Sequence, residues 1–222
     1  MTVIIAYATP DLAFLAADSF RWDLLERRNV GPVRKLHVAG PTQAFAIGGV
    51  LIDRTRLAAQ LCEAHAGGEA LADAARRLTP LLFAATRALP HAGMVTVEQF
   101  CVSWYAEAGA SGCRVQRHRL PEDRLDTVSG LDVMGPDTQW LAREAATLAL
   151  ALTSNGRLAL DDLAYRLIGQ AAARHPSSVG YPAMACVLHA DSRCIVRDDL
   201  HPQMWVGPRH DFSVLTTPAL GI

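Results

Sequence analysis

Two apolar runs open the chain, Val3-Ile4-Ile5-Ala6-Tyr7-Ala8 and Leu12-Ala13-Phe14-Leu15-Ala16-Ala17. Thr9-Pro10-Asp11 between them is a turn signal, so the pattern predicts a β-hairpin. The second run ends in an acid, Asp18. A charged segment over residues 19–28 and a loop-like Asn29-Val30-Gly31-Pro32 follow. Residues 33–38 alternate apolar and polar side chains, as a half-buried strand does. Residues 39–42 read as a turn, and Gln43-Ala44-Phe45-Ala46-Ile47 as a fourth strand closed by Gly48-Gly49. The opening is therefore expected to be four short antiparallel strands.

The period then changes. Leu57, Ala58, Leu61 and Cys62 fall at helical spacing within 51–66, and Gly67-Gly68 marks a stop. Leu71, Ala74, Ala75, Leu78, Leu82 and Ala85 form a second apolar stripe, which Pro80 is expected to kink or divide. Strands resume at 95–97 and 100–105, with a turn over 106–111 and a partner strand over 113–120. Residues 127–134 read as one further strand. Asp137 stands near the start of a helix with Trp140, Leu141, Ala145 and Leu148 on one face, ended by Asn155-Gly156. Asp161 or Asp162 opens another, with Leu163, Ala164, Leu167, Ile168 and Ala171 inward and His175-Pro176 at its end. Residues 183–189 and 194–197 pair as a last hairpin, and the tail from 200 is mostly irregular. Strands, two helices, strands, two helices, strands is an order that buries every stripe in an α+β fold. Its layers would be two antiparallel sheets face to face with a helix pair outside each, a four-layer αββα sandwich.

Composition narrows the picture. The chain has 222 residues, half of them hydrophobic, which suits one domain over 1–222 with a full core. A net charge of −1 gives no electrostatic case for nucleic acid or an anionic membrane. Cys62, Cys101, Cys113, Cys186 and Cys194 form no CxxC pair and are odd in number. They read as reduced cysteines of a cytoplasmic protein, neither a disulfide frame nor a zinc site. No signal peptide is legible, because Asp11 and Asp18 interrupt the apolar start. No apolar run approaches the roughly 20 residues of a membrane span. No cofactor or metal motif is expected.

The N-terminus carries the candidate chemistry. Aminopeptidases remove Met before a small residue, so the mature chain would begin at Thr2. Its α-amine, with a reference pKa of about 8, can take the proton of its own residue's hydroxyl. One residue then supplies nucleophile and base.

Thr2-Val3-Ile4-Ile5, Leu15-Ala16-Ala17-Asp18-Ser19, Val33-Arg34-Lys35-Leu36-His37-Val38 and Phe45-Ala46-Ile47-Gly48-Gly49 together resemble the proteasome-type N-terminal-nucleophile (Ntn) hydrolases. These are the proteasome β subunits, the bacterial HslV peptidase and homologues of the Anbu kind. The likeness is most specific over residues 2–49 and rests on element order from 127 to 190. It implies Thr2 as nucleophile and Lys35 as the cation that favours its deprotonated hydroxyl and neutral amine. It further implies Asp18 as the partner that holds Lys35, and the Gly48 N–H as oxyanion donor. Lys35 is chosen over Arg34 because Lys-Leu is the family pattern, and strand neighbours face opposite sides.

Two stretches depart from that pattern. Val133-Met134-Gly135 stands where the family has a Ser between glycines. In His175-Pro176-Ser177-Ser178-Val179-Gly180, Ser178 matches the family Ser while His175 replaces an Asp. Those two family groups tune the Thr amine through hydrogen bonds. The resemblance implies a threonine peptidase acting on polypeptides inside stacked hexameric or heptameric homo-oligomeric rings. A separate AAA+ unfoldase is a compatible partner; there is no P-loop in this chain. Two other readings stay open: a ring or scaffold protein that has lost the chemistry, and an Ntn amidohydrolase of small amides. Ser19, Phe20, Arg21 or Trp22 are the expected pocket walls.

Overall fold

The first two apolar runs become β1 (Ile4–Thr9) and β2 (Leu12–Ala17), paired antiparallel from Ile4–Ala17 to Thr9–Leu12. The structure is a computed structural model that describes residues 2–23, 28–49, 54–88, 101–109, 111–120, 122–154, 157–191, 194–200 and 213–215. The elements that follow are β3 (Phe20–Asp23), β4 (Arg28–Pro32), β5 (Leu36–Gly40), β6 (Gln43–Gly48), α1 (Arg54–Ala66) and α2 (Leu71–Arg87). Next come β7 (Cys101–Gly109), β8 (Gly112–Leu120), β9 (Arg124–Val128), β10 (Gly130–Met134) and α3 (Thr138–Leu152). The chain ends through β11 (Thr153–Ser154), β12 (Arg157–Ala159), α4 (Leu160–Arg174), β13 (Ala183–His189), β14 (Cys194–Leu200) and β15 (Ser213–Leu215).

Two five-stranded sheets carry the fold, in the orders β10-β1-β2-β13-β14 and β5-β6-β7-β8-β9. Strand alternation sorts their side chains into separate apolar clusters. Val3, Ile5, Tyr7, Phe14, Ala16 and Val187 bury against Leu141, Leu163, Leu167 and Ile168 of α3 and α4. Their neighbours Ile4, Ala6, Leu15, Ala17 and Cys186 bury instead against Leu36, Ala44, Ala46, Ala106 and Val115 of the other sheet. Phe45, Ile47 and Leu120 turn away from that interface onto Leu57, Leu61, Leu71 and Ala74 of α1 and α2. Alanine dominates between the sheets, which lets their backbones approach closely.

Several expectations are corrected. Residues 29–32, expected as loop, lie in β4, which pairs with β3 as a two-stranded ribbon. Phe20 and Trp22 alternate with charged residues there, a strand pattern that the local charge obscures. Of the four expected opening strands, β1 and β2 belong to one sheet and β5 and β6 to the other. The expected strand over 33–38 begins only at Leu36. Residues 127–134 are not one strand, because β9 and β10 lie in different sheets. The chain changes sheet at Gly130, whose φ of 72° is one glycine adopts without a Cβ clash. Pro80 lies inside an unbroken α2. β7 runs on to Gly109 through the expected turn, α3 stops at Leu152, and β12 pairs with both β11 and β15. The expected strand at 95–97 lies outside the described residues.

The inward face of α4 matches expectation, although the helix opens at Leu160, before Asp161 and Asp162. Asp137 caps α3 by accepting from Trp140 N–H at 3.3 Å, and Leu163, Ala164, Leu167, Ile168 and Ala171 are all buried. Among the described residues no helix is long and apolar enough to cross a membrane.

Candidate active site

Ends of both sheets converge where β1 begins. Thr2 precedes β1, Asp18 follows β2, Lys35 precedes β5, and Gly48 and Met134 end β6 and β10. The register opposes Ile4 to Ala17 on one side and to Met134 on the other, so β1 is flanked there by both neighbours.

Asp18 is the hub. Its Oδ1 accepts from Lys35 Nζ at 2.8 Å and from Val3 N–H at 2.8 Å, and its Oδ2 accepts from Phe20 N–H at 3.0 Å. The Asp18 N–H donates back to the Val3 carbonyl at 3.2 Å. The Asp18 and Lys35 side chains are 0% and 1% exposed. A buried ion pair offsets its desolvation only where geometry is good and the remaining lone pairs are used. Here three donors converge on one carboxylate, two of them backbone groups fixed by the fold. Lys35 is placed by irregular backbone, not by strand alternation. Its carbonyl still accepts from Ile47 N–H at 3.0 Å, which ties it to β6, while Arg34 is exposed.

Thr2 is 2% exposed, and its Oγ1 has no hydrogen-bond partner among the described residues. The buried hydroxyl thus stands beside the residue whose N–H anchors the Asp18–Lys35 pair. Buried hydroxyls are ordinarily satisfied, and one left unmade costs roughly 1–3 kcal/mol.

Gly48 lies against the same cluster. A Cβ there would come 2.6 Å from Met134 Cε and 3.1 Å from Ile4 Cδ1, so the close approach requires glycine or movement of those side chains. The Met134 thioether therefore packs directly against Gly48.

Ser178 is buried in the loop between α4 and β13. Its hydroxyl donates to the His175 carbonyl at 3.4 Å, and that carbonyl also accepts from Ser178 N–H at 3.0 Å and Val179 N–H at 3.1 Å. The loop reaches the Asp18 segment two residues later. The Gly180 carbonyl accepts from Ser19 N–H at 3.4 Å, and the Phe20 ring packs on Gly180. His175 caps α4, and its Nε2 is buried without a partner among the described residues.

The structure thus brings Asp18 and Lys35 into direct contact, joins Thr2 to them through Val3, and sets Gly48 on Ile4 and Met134. Ser178 is joined through Gly180 and Ser19. The Val3 N–H contact was not legible in the sequence beforehand, since any residue supplies an N–H. Ser19 and Phe20 border the cluster; the side chains of Arg21 and Trp22 lie outside the described part.

The chain is similar to eukaryotic HslV from Trypanosoma brucei, with a TM-score of 0.56 and 16% identity, covering 84% of this chain and 99% of that one. It has a proteasome-type fold. No family model matches the sequence, and none of the curated proteins does. The HslV-like fold is therefore carried by three-dimensional arrangement, with little of the sequence held in common.

Proposed function

We propose that this protein is a cytoplasmic threonine-type peptidase subunit, working in a homo-oligomeric ring on polypeptide substrates once Met1 is removed. The observation that carries the reading is the buried Asp18–Lys35 pair at 2.8 Å, anchored on the residue next to a buried Thr2 hydroxyl that has no partner among the described residues. The stacking of the three apolar clusters supports a four-layer αββα arrangement.

In this reading the Thr2 amine, freed by Met1 removal, takes the proton from Oγ1. Lys35 favours the neutral amine and the developing alkoxide through its fixed positive charge. Oγ1 attacks the substrate carbonyl carbon, and the Gly48 N–H donates to the resulting oxyanion. The ammonium returns the proton to the leaving amine, so the peptide C–N bond breaks and an ester on Thr2 remains. Water hydrolyses that ester and restores the free hydroxyl.

A second reading, a ring or scaffold protein without catalysis, is favoured by the Met134 side chain against Gly48. A panel of fluorogenic peptides and small amides separates the readings. The first expects peptide hydrolysis lost in Thr2→Ala. Cleavage of small amides alone would make the protein an amidohydrolase. No cleavage by chain shown by mass to begin at Thr2 would leave the scaffold reading.

A further inference from the structure

We propose that Ser19 is a positioning residue of the same site, holding the water that hydrolyses the ester on Thr2. This rests on the reading of Thr2 as the nucleophile. Three observations carry it. Ser19 is 4% exposed, and its Oγ has no hydrogen-bond partner among the described residues. Its backbone is nevertheless held on both sides: the N–H donates to the Gly180 carbonyl at 3.4 Å, and the carbonyl accepts from Val33 N–H at 2.7 Å. The hairpin register then places it. The β1–β2 register ends at Ile4 opposite Ala17, the Asp18 N–H to Val3 carbonyl bond carries the pairing one residue further, and one more step along each chain reaches Thr2 and Ser19.

Residues directly opposite in an antiparallel pair project to the same face, with Cβ atoms about 4.5–5.5 Å apart. Continued to Thr2 and Ser19, that geometry sets two buried hydroxyls, neither bonded to the other, where one water can satisfy both. Folds keep such unsatisfied groups chiefly where function uses them. In the deacylation step the bridging group is the attacking water. Its oxygen forms a bond to the ester carbonyl carbon, the Thr2 amine takes its proton, and the bond from that carbon to Oγ1 breaks as Oγ1 recovers a proton. Ser19 accepts the water's other hydrogen and fixes its approach.

The experiment compares the mature chain with Ser19→Ala, Ser19→Cys and Ser19→Thr. It measures modification of Thr2 by an irreversible electrophile, steady-state peptide turnover and thermal stability. The proposal expects Ser19→Ala to be modified at the wild-type rate while turnover falls about tenfold or more, with acyl-enzyme accumulating in intact mass spectra. Ser19→Cys keeps the volume and shows the same split; Ser19→Thr restores turnover. Ser19→Ala should melt no lower than the wild type, since it removes an unsatisfied hydroxyl. Unchanged turnover in Ser19→Ala overturns the role of Ser19 alone. Equal loss of modification and turnover overturns the water-holding step. Absence of modification in the wild type overturns the nucleophile reading, and the role of Ser19 with it.

Discussion

Asp18 and Lys35 meet as one pair almost wholly out of water, whereas Arg117, Arg119 and Arg124 surround Asp126 and Asp132 where water still reaches them. The surface cluster has more bonds, and some are shorter, including Arg124 Nε to Asp126 Oδ1 at 2.6 Å. It also ties the sheets together, since Arg117 of β8 donates to Asp132 of β10 at 2.8 Å. Solvent nevertheless screens each of these bonds and can replace it. Nothing can replace Lys35 once it is gone. The difference teaches that the weight of a charge contact follows what remains if one partner leaves, not how many contacts there are.

The largest break in that comparison is Lys35→Met. It leaves the Asp18 carboxylate buried without its cation, a loss of about 3–5 kcal/mol readable as a lower denaturant midpoint. Adding Asp18→Asn removes the stranded charge, and the double-mutant cycle should return a coupling of about 1–3 kcal/mol. Both variants lose peptide hydrolysis. Additive effects in the cycle would mean that the pair is not the unit described.

Gly48→Ala comes next. The added Cβ meets Met134 Cε and Ile4 Cδ1, both free ends of flexible side chains, so the loss should lie near the lower end of the overpacking range of about 1–3 kcal/mol. In a Met134→Ala background the clash with Met134 is gone and the Gly48→Ala penalty should shrink, as thermal melts will show.

His37 sharpens the comparison with a titrating group near the buried pair. It stacks on Phe45 with ring centroids 5.0 Å apart. Burial, with the Arg34 cation adding to it, pushes its pKa from 6.5 down to about 4. The folded state therefore holds His37 neutral where the unfolded chain would protonate it. This contribution to stability is complete above pH 6.5 and is lost as pH falls from 6.5 through about 4. Melting His37→Phe beside the wild type over that window should show a smaller drop for the variant.

The smallest effect belongs to the wet cluster. Arg124→Ala should change stability by about 1 kcal/mol or less, and less still in high salt. A loss as large as that of Lys35→Met would erase the contrast.

Much of this fold was legible because its elements announce themselves. The first hairpin is two unbroken apolar runs around Thr9-Pro10-Asp11, and α4 shows its inward stripe without interruption. The break between β9 and β10 was not legible, because a single glycine with positive φ redirects an otherwise continuous run. The β3–β4 ribbon was hidden by charge, and β15 by its brevity. At the site, Asp18 and Lys35 were named from sequence and stand in contact. The strand argument for Lys35 fails, however, because it precedes β5 and long-range bonds place it. Ser19 appeared only as a pocket wall. Counting the hairpin register two pairs past Ile4–Ala17 would have set it opposite Thr2.

The central claim is that Thr2 becomes an activated nucleophile beside the Asp18–Lys35 pair. Intact mass of the purified protein, with and without a threonine-directed epoxyketone, tests it most directly. The account predicts loss of Met1 and one adduct per chain, abolished by Thr2→Ala. A chain beginning at Thr2 that takes up no adduct would contradict it.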